Sequence, residues 1–394
     1  MLQRPIYLDC HATTPVDPRV LEAMLPYFSV SFGNPASTSH LYGWEAEAAV
    51  RSARETLAEA IHASPEEIVF TSGATEANNL AIKGVAEAYC GQGRHIVTVA
   101  TEHNAVLDPC RYLQSLGFEV TFLPVQSNGL VDLGELQRSL RPDTILVSMM
   151  AANNEIGVLQ PLAEVGALCR SYGILFHTDA AQAIGKIPLD VEAMQIDLMS
   201  ITAHKVYGPK GIGALYVRRR NPRVRLMPQM HGGGHEQGLR SGTLYTPQIV
   251  GLAKAIELAI TSQLEENQRI LHLRDRLWHQ LNELKEIYLN GHATQRLPGN
   301  LNISVARVDG QALILGLQSV MAVSSGSACN TAKIAPSHVL TALGRSQELA
   351  FASLRFGIGR FNTEAEIDQA ANAVIKTVQS LRQASNRPGE SVVM

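Results

Sequence analysis

An α/β protein, with a mostly parallel sheet wrapped by helices, is what the sequence predicts, and three observations carry that expectation. Short apolar runs rich in β-branched residues alternate with alanine-rich stretches at helical spacing, the rhythm of βαβ units. Polar, glycine-punctuated clusters recur where apolar runs end, the place at which strands of an open α/β sheet present ligand loops. At 394 residues and 45% hydrophobic content the chain exceeds one typical core, so a large domain with a smaller companion is expected.

The first landmark is Tyr7-Leu8, a short strand leading into the turn Asp9-Cys10-His11-Ala12-Thr13-Thr14-Pro15, then a helical pattern from Pro18 to about Phe28. Cys10 reads as a small buried apolar residue, and Gly33-Asn34-Pro35-Ala36-Ser37 as a loop. Helical spacing runs from Glu45 to Ile61; Ile68 to Thr71 is a strand, and Ser72-Gly73-Ala74-Thr75-Glu76-Ala77 opens a helix reaching about Ala88. Small residues between a strand and a helix let backbone N–H groups approach a phosphate, although an ordinary N-cap at Ser72 or Thr75 also accounts for them. The strand His95 to Ala100 ends at Thr101-Glu102-His103-Asn104, where a helix begins; His103 there reads more readily as a cap or packed side chain than as a catalyst.

Alternation continues through Phe118–Leu123, Leu133–Leu140, Thr144–Met149, Leu162–Ser171 and Ile174–His177, with Asn153-Asn154-Glu155-Ile156-Gly157 between the last strands. The runs Ile196–Ile201 and Ile212–Val217 flank a turn that carries Lys205. One long amphipathic helix from about Pro247 to Leu284 is expected to lead into the second domain, with strands near Leu301–Val305, Ala322–Ser325 and Leu354–Gly357.

Composition narrows the function. A net charge of −3, with Arg218-Arg219-Arg220 as the only dense basic run, argues against a nucleic-acid-binding surface. No apolar stretch is long enough to span a bilayer, and the N-terminal residues show no signal-peptide core. Five scattered cysteines without a C-x-x-C pair suggest neither zinc nor a disulfide framework and fit a reducing cytoplasm. His231, His235 and Glu236 invite a metal reading, but three consecutive glycines fix no common face, so no structural metal is expected.

Chemistry concentrates in two places. His177-Thr178-Asp179-Ala180-Ala181-Gln182 follows an apolar run, and the Lys205 turn follows the next; a carboxylate and a lysine at neighbouring strand ends would face one crevice. Pyridoxal 5'-phosphate (PLP) needs such a pair, a lysine for the Schiff base and an acid to keep the pyridine nitrogen protonated. Cys329 lies in Ser324-Ser325-Gly326-Ser327-Ala328-Cys329-Asn330-Thr331, a run of small polar residues that exposes its thiol. An unperturbed thiol is only about 3% ionised at pH 7, so a nucleophilic Cys329 needs help from substrate or neighbours.

Together, Ser200-x-x-x-His204-Lys205-x-x-Gly208-Pro209-x-Gly211-x-Gly213, the pair Asp179-x-x-Gln182 and the Cys329 segment resemble the cysteine desulfurases of the NifS/IscS type, in the class V aminotransferase superfamily. The resemblance runs from about Tyr7 to about Leu381. It implies the PLP-dependent fold type I, with a seven-stranded-type sheet in a large domain over residues 15–258 and an α+β domain from 1–14 and 259–394. The cysteine loop would span about 324–337.

The resemblance also implies an activity, removal of sulfur from L-cysteine to give L-alanine and a persulfide on Cys329. Lys205 would hold PLP and move the α-proton, His103 would stack on the ring and exchange protons, and Asp179 would face the ring nitrogen. Ala74, Thr75, Thr202 and His204 would hold the phosphate, Asn154 and Gln182 the ring-oxygen side, and Asn34 and Arg355 the substrate carboxylate. Thr243 would reach the phosphate of a neighbouring subunit in a homodimer. A sulfur-acceptor protein such as an iron-sulfur scaffold would be the partner, with Cys329 a transient cluster ligand. Selenocysteine lyase, another class V enzyme and a non-catalytic protein keeping the fold are the alternatives. Departures from the family pattern are Thr202 for serine, Ala203 for glycine, Asn330-Thr331 after the cysteine, and a short tail without an aromatic extension.

Overall fold

The computed structural model describes residues 4–325, 327–328 and 335–385. In chain order the strands are β1 (Ile6–Tyr7), β2 (Ile68–Thr71), β3 (His95–Val99), β4 (Glu119–Leu123), β5 (Thr144–Ser148), β6 (Leu175–Asp179), β7 (Leu198–Thr202), β8 (Gly213–Val217), β9 (Ile287–Leu289), β10 (Asn300–Val305), β11 (Met321–Ala322), β12 (Ser324–Ser325), β13 (Ser327–Ala328), β14 (Ala335–Pro336) and β15 (Ser353–Gly357). The helices are α1 (Pro18–Met24), α2 (Pro26–Ser29), α3 (Leu41–Glu59), α4 (Ala74–Tyr89), α5 (Asn104–Ser115), α6 (Leu133–Ser139), α7 (Leu162–Tyr172), α8 (Thr246–Thr261), α9 (Gln263–Leu281), α10 (Gly310–Leu317), α11 (His338–Ala342), α12 (Gln347–Phe351) and α13 (Glu364–Ser385).

Seven strands form the main sheet in the order β2-β8-β7-β6-β5-β3-β4. Only β8 runs against its neighbours, so the mostly parallel sheet expected from the alternation is present. Alternate residues of each strand point to opposite faces, and both faces are covered. Phe70, Val97, Val147 and Phe176 face α1, α3, α7 and α8, whereas Val69, Ile96, Leu146 and Leu175 face α4 and α5. Removing one fully buried ring, as in Phe176→Ala, would cost about 3–5 kcal/mol.

A second, antiparallel sheet of order β12-β15-β10-β9 lies on α9, α10 and α13, around Leu273, Leu277, Ile303, Leu317, Phe356 and Val374. The N terminus joins this layer, since β1 pairs in parallel with β11.

Three elements differ from the sequence expectation. The single helix expected over Pro247–Leu284 is broken at Ser262, whose φ of −100° and ψ of 5° leave the helical range while its Oγ bonds the Leu258 carbonyl at 2.8 Å. The break lets Ile249, Leu252 and Ile256 pack on the main sheet while Ile270, Leu273 and Leu277 turn to the second core. The helix expected from Pro18 to Phe28 is likewise divided, because Pro26 opens a new short helix after Leu25. The expected strand over Ala322–Ser325 is two pieces, β11 paired with β1 and β12 paired with β15.

Candidate active site

Five strands deliver polar residues to the same edge of the main sheet. The end of β2 opens into Ser72-Gly73 and α4, β3 leads to His103, β5 to Asn154, β6 ends on Asp179, and β7 runs into the Lys205 turn. Around them lies a cavity of about 520 Å³, lined by Ala74, Thr75, His103, Asn154, Asp179, Gln182, Thr202, His204 and Lys205 among others. Such a volume suits a small-molecule site. Most of the expected site residues therefore meet in one place.

Lys205 is desolvated, and its Nζ donates to the His11 carbonyl. Burial, followed by the nearby Lys186 and Arg355 cations, brings its pKa down to about 7. The turn that presents it is tightly constrained. Tyr207 has a φ of +64°, held by its N–H on Thr14 Oγ1 at 2.8 Å and by the Arg360 guanidinium 4.2 Å over its ring. Gly213 is needed for close approach, because a Cβ there would lie 2.3 Å from the Ile201 carbonyl oxygen and 2.7 Å from Gly73 Cα.

On the adjacent strand, paired through Asp179 and Ser200, the Asp179 carboxylate is buried. It accepts from Asn78 Nδ2 at 2.7 Å and from the Ala181 N–H at 2.9 Å, which fixes its orientation toward the cavity it lines. At the start of α4 the N-cap residue is Gly73, and no side chain caps the helix. Ser72 and Thr75 therefore do not play the alternative capping role, and the helix N-terminus is open toward the cavity that Gly73, Ala74 and Thr75 line.

His103 is the N-cap of α5, its Nδ1 accepting from the Ala105 N–H at 3.1 Å. With Nδ1 as acceptor, the neutral ring carries its proton on Nε2, and burial lowers its pKa. His204 is held neutral too, drawn down to about 4 by burial and then by the Lys205 charge, and its Nδ1 meets Thr13 Oγ1 at 3.2 Å.

Arg355 stands beside this cavity. Nη1 donates to the Asn154 carbonyl at 3.0 Å, and Nη2 to Asp9 Oδ1 and Ser324 Oγ, both at 2.7 Å. Asn34 and Thr243 are exposed and outside the cavity lining of their own chain; Asn34 Oδ1 caps the Ala36 N–H at 3.0 Å. Cys329 lies outside the described residues. Glu236, weighed with His231 and His235 as a metal ligand, is taken by Arg54 at 2.7 Å, and among the described residues no cluster of three or more metal-ligating side chains exists.

Sequence reasoning missed several residues of the site. His11, Ala12 and Thr13 line or contact it, and their signal was a polar cluster following a strand, the same signal that singled out Asp179. Outside the cavity lining, Glu102 is fully buried, accepts from the Met150 N–H at 2.7 Å on Oε1, and leaves Oε2 without a partner; burial holds its carboxyl well above the ordinary range. Nothing in a sequence distinguishes such a buried acid from a solvated one.

Comparison with known proteins adds the family. The Aminotransferase class-V family model matches residues 6–370. A cysteine desulfurase IscS of Aeromonas hydrophila is 58% identical over 386 residues, covering 98% of this chain and 95% of that protein, and one of Methylococcus capsulatus is 56% identical over 384 residues, covering 98% and 95%. Among solved structures, a NifS-like protein superposes with a TM-score of 0.88 at 38% identity, covering 96% of this chain and all of that one. SspA in complex with cysteine gives a TM-score of 0.81, also at 38% identity, covering 91% of this chain and 100% of the other.

Proposed function

Because the chain belongs to the class V aminotransferase family, and within it to the cysteine desulfurases of the IscS type, we propose that it holds pyridoxal 5'-phosphate on Lys205 and takes sulfur from L-cysteine. One observation carries the cofactor reading: a desolvated lysine and a buried carboxylate, on adjacent strand ends, face one cavity whose rim is an uncapped helix N-terminus. These groups fit the cofactor. The open N–H groups of Ala74 and Thr75, with Thr202 and His204, suit a phosphate, and Asp179 suits a protonated ring nitrogen. Bound there, the cofactor supplies an electron sink for bond breaking at the α and β carbons of the substrate.

The residues of the chain supply the rest. Lys205 Nζ, brought down to about 7 and so present in substantial part as the neutral amine at that pH, takes the α-proton and returns it. His103, which lines the cavity with its Nδ1 occupied by the Ala105 N–H, would stack on the ring and exchange protons there, and Asn154 and Gln182 would hold the ring-oxygen side. Arg355, beside Asn154, and Asn34 bind the carboxylate of L-cysteine. The Cys329 thiolate attacks the substrate sulfur; the C–S bond breaks, an S–S bond forms, and the carbon left behind takes up a proton. L-Cysteine and the Cys329 thiol thus become L-alanine and a Cys329 persulfide. Burial raises the Cys10 thiol to about 11 and those of Cys110 and Cys169 to about 12, which leaves these three inert.

The functional unit is a homodimer with shared sites. Leu25, Phe28, Val30, Phe32, Tyr42 and Trp44 are exposed, the rings of Phe32 and Tyr42 lie 5.4 Å apart, and Phe28 meets Tyr245, two residues from Thr243, with ring centroids 6.3 Å apart. Exposed apolar side chains near Thr243 suit a second copy that receives the threonine at its phosphate. The sulfur passes to an acceptor protein such as an iron-sulfur scaffold, in the cytoplasm; no helix among the described residues is long and apolar enough to cross a membrane.

The test is a comparison of cofactor-loaded protein with Lys205→Ala. The parent should release alanine from L-cysteine and show a lysine-bound cofactor band. The variant should stay folded and do neither, and retained turnover would refute the cofactor assignment.

A further inference from the structure

A second, smaller space of about 40 Å³ is lined by Cys10, His11 and Lys186. Gln182 lines the main cavity. Its Oε1 faces Lys186 Nζ and His11 Nδ1, each at 3.2 Å, and its Nε2 donates to the His11 carbonyl at 2.8 Å. That same carbonyl receives Lys205 Nζ.

An amide presents one acceptor and one two-hydrogen donor. With both of these donors on Oε1 and one Nε2 hydrogen on the carbonyl, the remaining Nε2 hydrogen is left for the main cavity, which Gln182 lines. The Glu266 carboxylate, whose charge bears on Lys186, is engaged by Arg360 at 2.9 Å. Lys186 is thus a second cation held behind the reactive one, with an amide and a carbonyl between them.

We propose that Lys186 is a positioning residue for the desulfurase reaction: it fixes the amide of Gln182 and, as a like charge behind the shared His11 carbonyl, keeps Lys205 in its neutral form. This rests on the assignment of Lys205 as the cofactor-holding lysine. Electrostatics agree with the geometry. Lys186, drawn down by burial to about 8, still carries its proton at pH 7. After burial itself, Lys186 comes ahead of Arg355 in lowering Lys205, with Asp179 and Asp9 acting in the opposite sense. His103 and His204 also face Lys205 and are kept neutral by burial, while Cys10 and Glu266 bear on Lys186.

The experiment uses the cofactor-loaded protein and follows the pH midpoint of the absorbance band of the lysine-bound cofactor, a property that a merely structural residue would not move. Lys186→Gln keeps a donor toward Gln182 but removes the charge, and should raise the midpoint by roughly one pH unit with the cofactor retained. Lys186→Met removes both and should raise the midpoint and also loosen the cofactor. Lys186→Arg keeps the charge and should leave the midpoint near that of the parent. A folded Lys186→Gln protein with the parental midpoint overturns the proposal, whatever Lys186→Met does. Lys205→Ala runs in parallel: loss of the band there confirms the lysine on which the proposal rests, and a band that survives overturns both.

Discussion

Lys205 is desolvated beside other cations, and in its proposed role that has a consequence before any substrate arrives. Only the neutral amine can bond to the aldehyde carbon of the cofactor. The neutral fraction of a lysine brought down to about 7 rises through that pH, whereas a solvated lysine would wait until about 10. Cofactor uptake by the stripped protein, followed by absorbance, should therefore accelerate through about pH 7 and level off above it; a rate still climbing near pH 10 would contradict the desolvated lysine. At the proposed sulfur carrier, Cys329→Ser should keep the cofactor yet yield neither persulfide nor alanine, while Cys90→Ser keeps most activity, read by alanine release. Lys205, Asp179 and Gln182 were legible in the sequence because polar residues that follow apolar runs mark strand ends. Lys186 and Glu102 were not, because what makes them unusual is burial, and burial is set by segments far away in the chain.

Between elements, the most consequential join is Arg360, just beyond β15. It reaches Asp17 at the start of α1 with 2.8 Å, Glu266 on α9 with 2.9 Å, and the ring of Tyr207 in the Lys205 turn. All three partners lose a buried cation in Arg360→Ala, which should destabilise by about 3–5 kcal/mol in denaturant unfolding. The pH dependence has a defined sign. Arg19 first, and Arg360 also, hold the Asp17 carboxyl below its ordinary range, so its stabilisation is complete above about pH 4 and is lost as pH falls toward the folded value. Arg360→Ala should lose less stability than the parent over that acid interval, because part of the linkage is gone. Most elements were legible from periodicity, β2 through β8 and α4 to α7 within a residue or two. The break at Ser262 was not, since both halves share one helical pattern and only their two separate cores show why the chain must bend.

At the scale of the whole molecule, Thr243 and Asn34 are exposed in the single chain, and the proposed dimer is what would bring Thr243 to a second copy's cavity. Light scattering should give twice the 42.7 kDa chain mass. A heterodimer of a Lys205→Ala chain with a Thr243→Ala chain should recover about half the parental activity, since one of its two-fold-related sites then carries both lesions and the other neither; recovery no greater than that of the Thr243→Ala sites alone would mean that each chain completes its own site. The most direct test of the chemistry is a single turnover: cofactor-loaded protein in excess over L-cysteine, without reductant, followed by alanine quantification and peptide mass mapping. One alanine per L-cysteine consumed, with one extra sulfur on the peptide containing Cys329, is the expected result; free sulfide with pyruvate, or sulfur on any other cysteine, would contradict it.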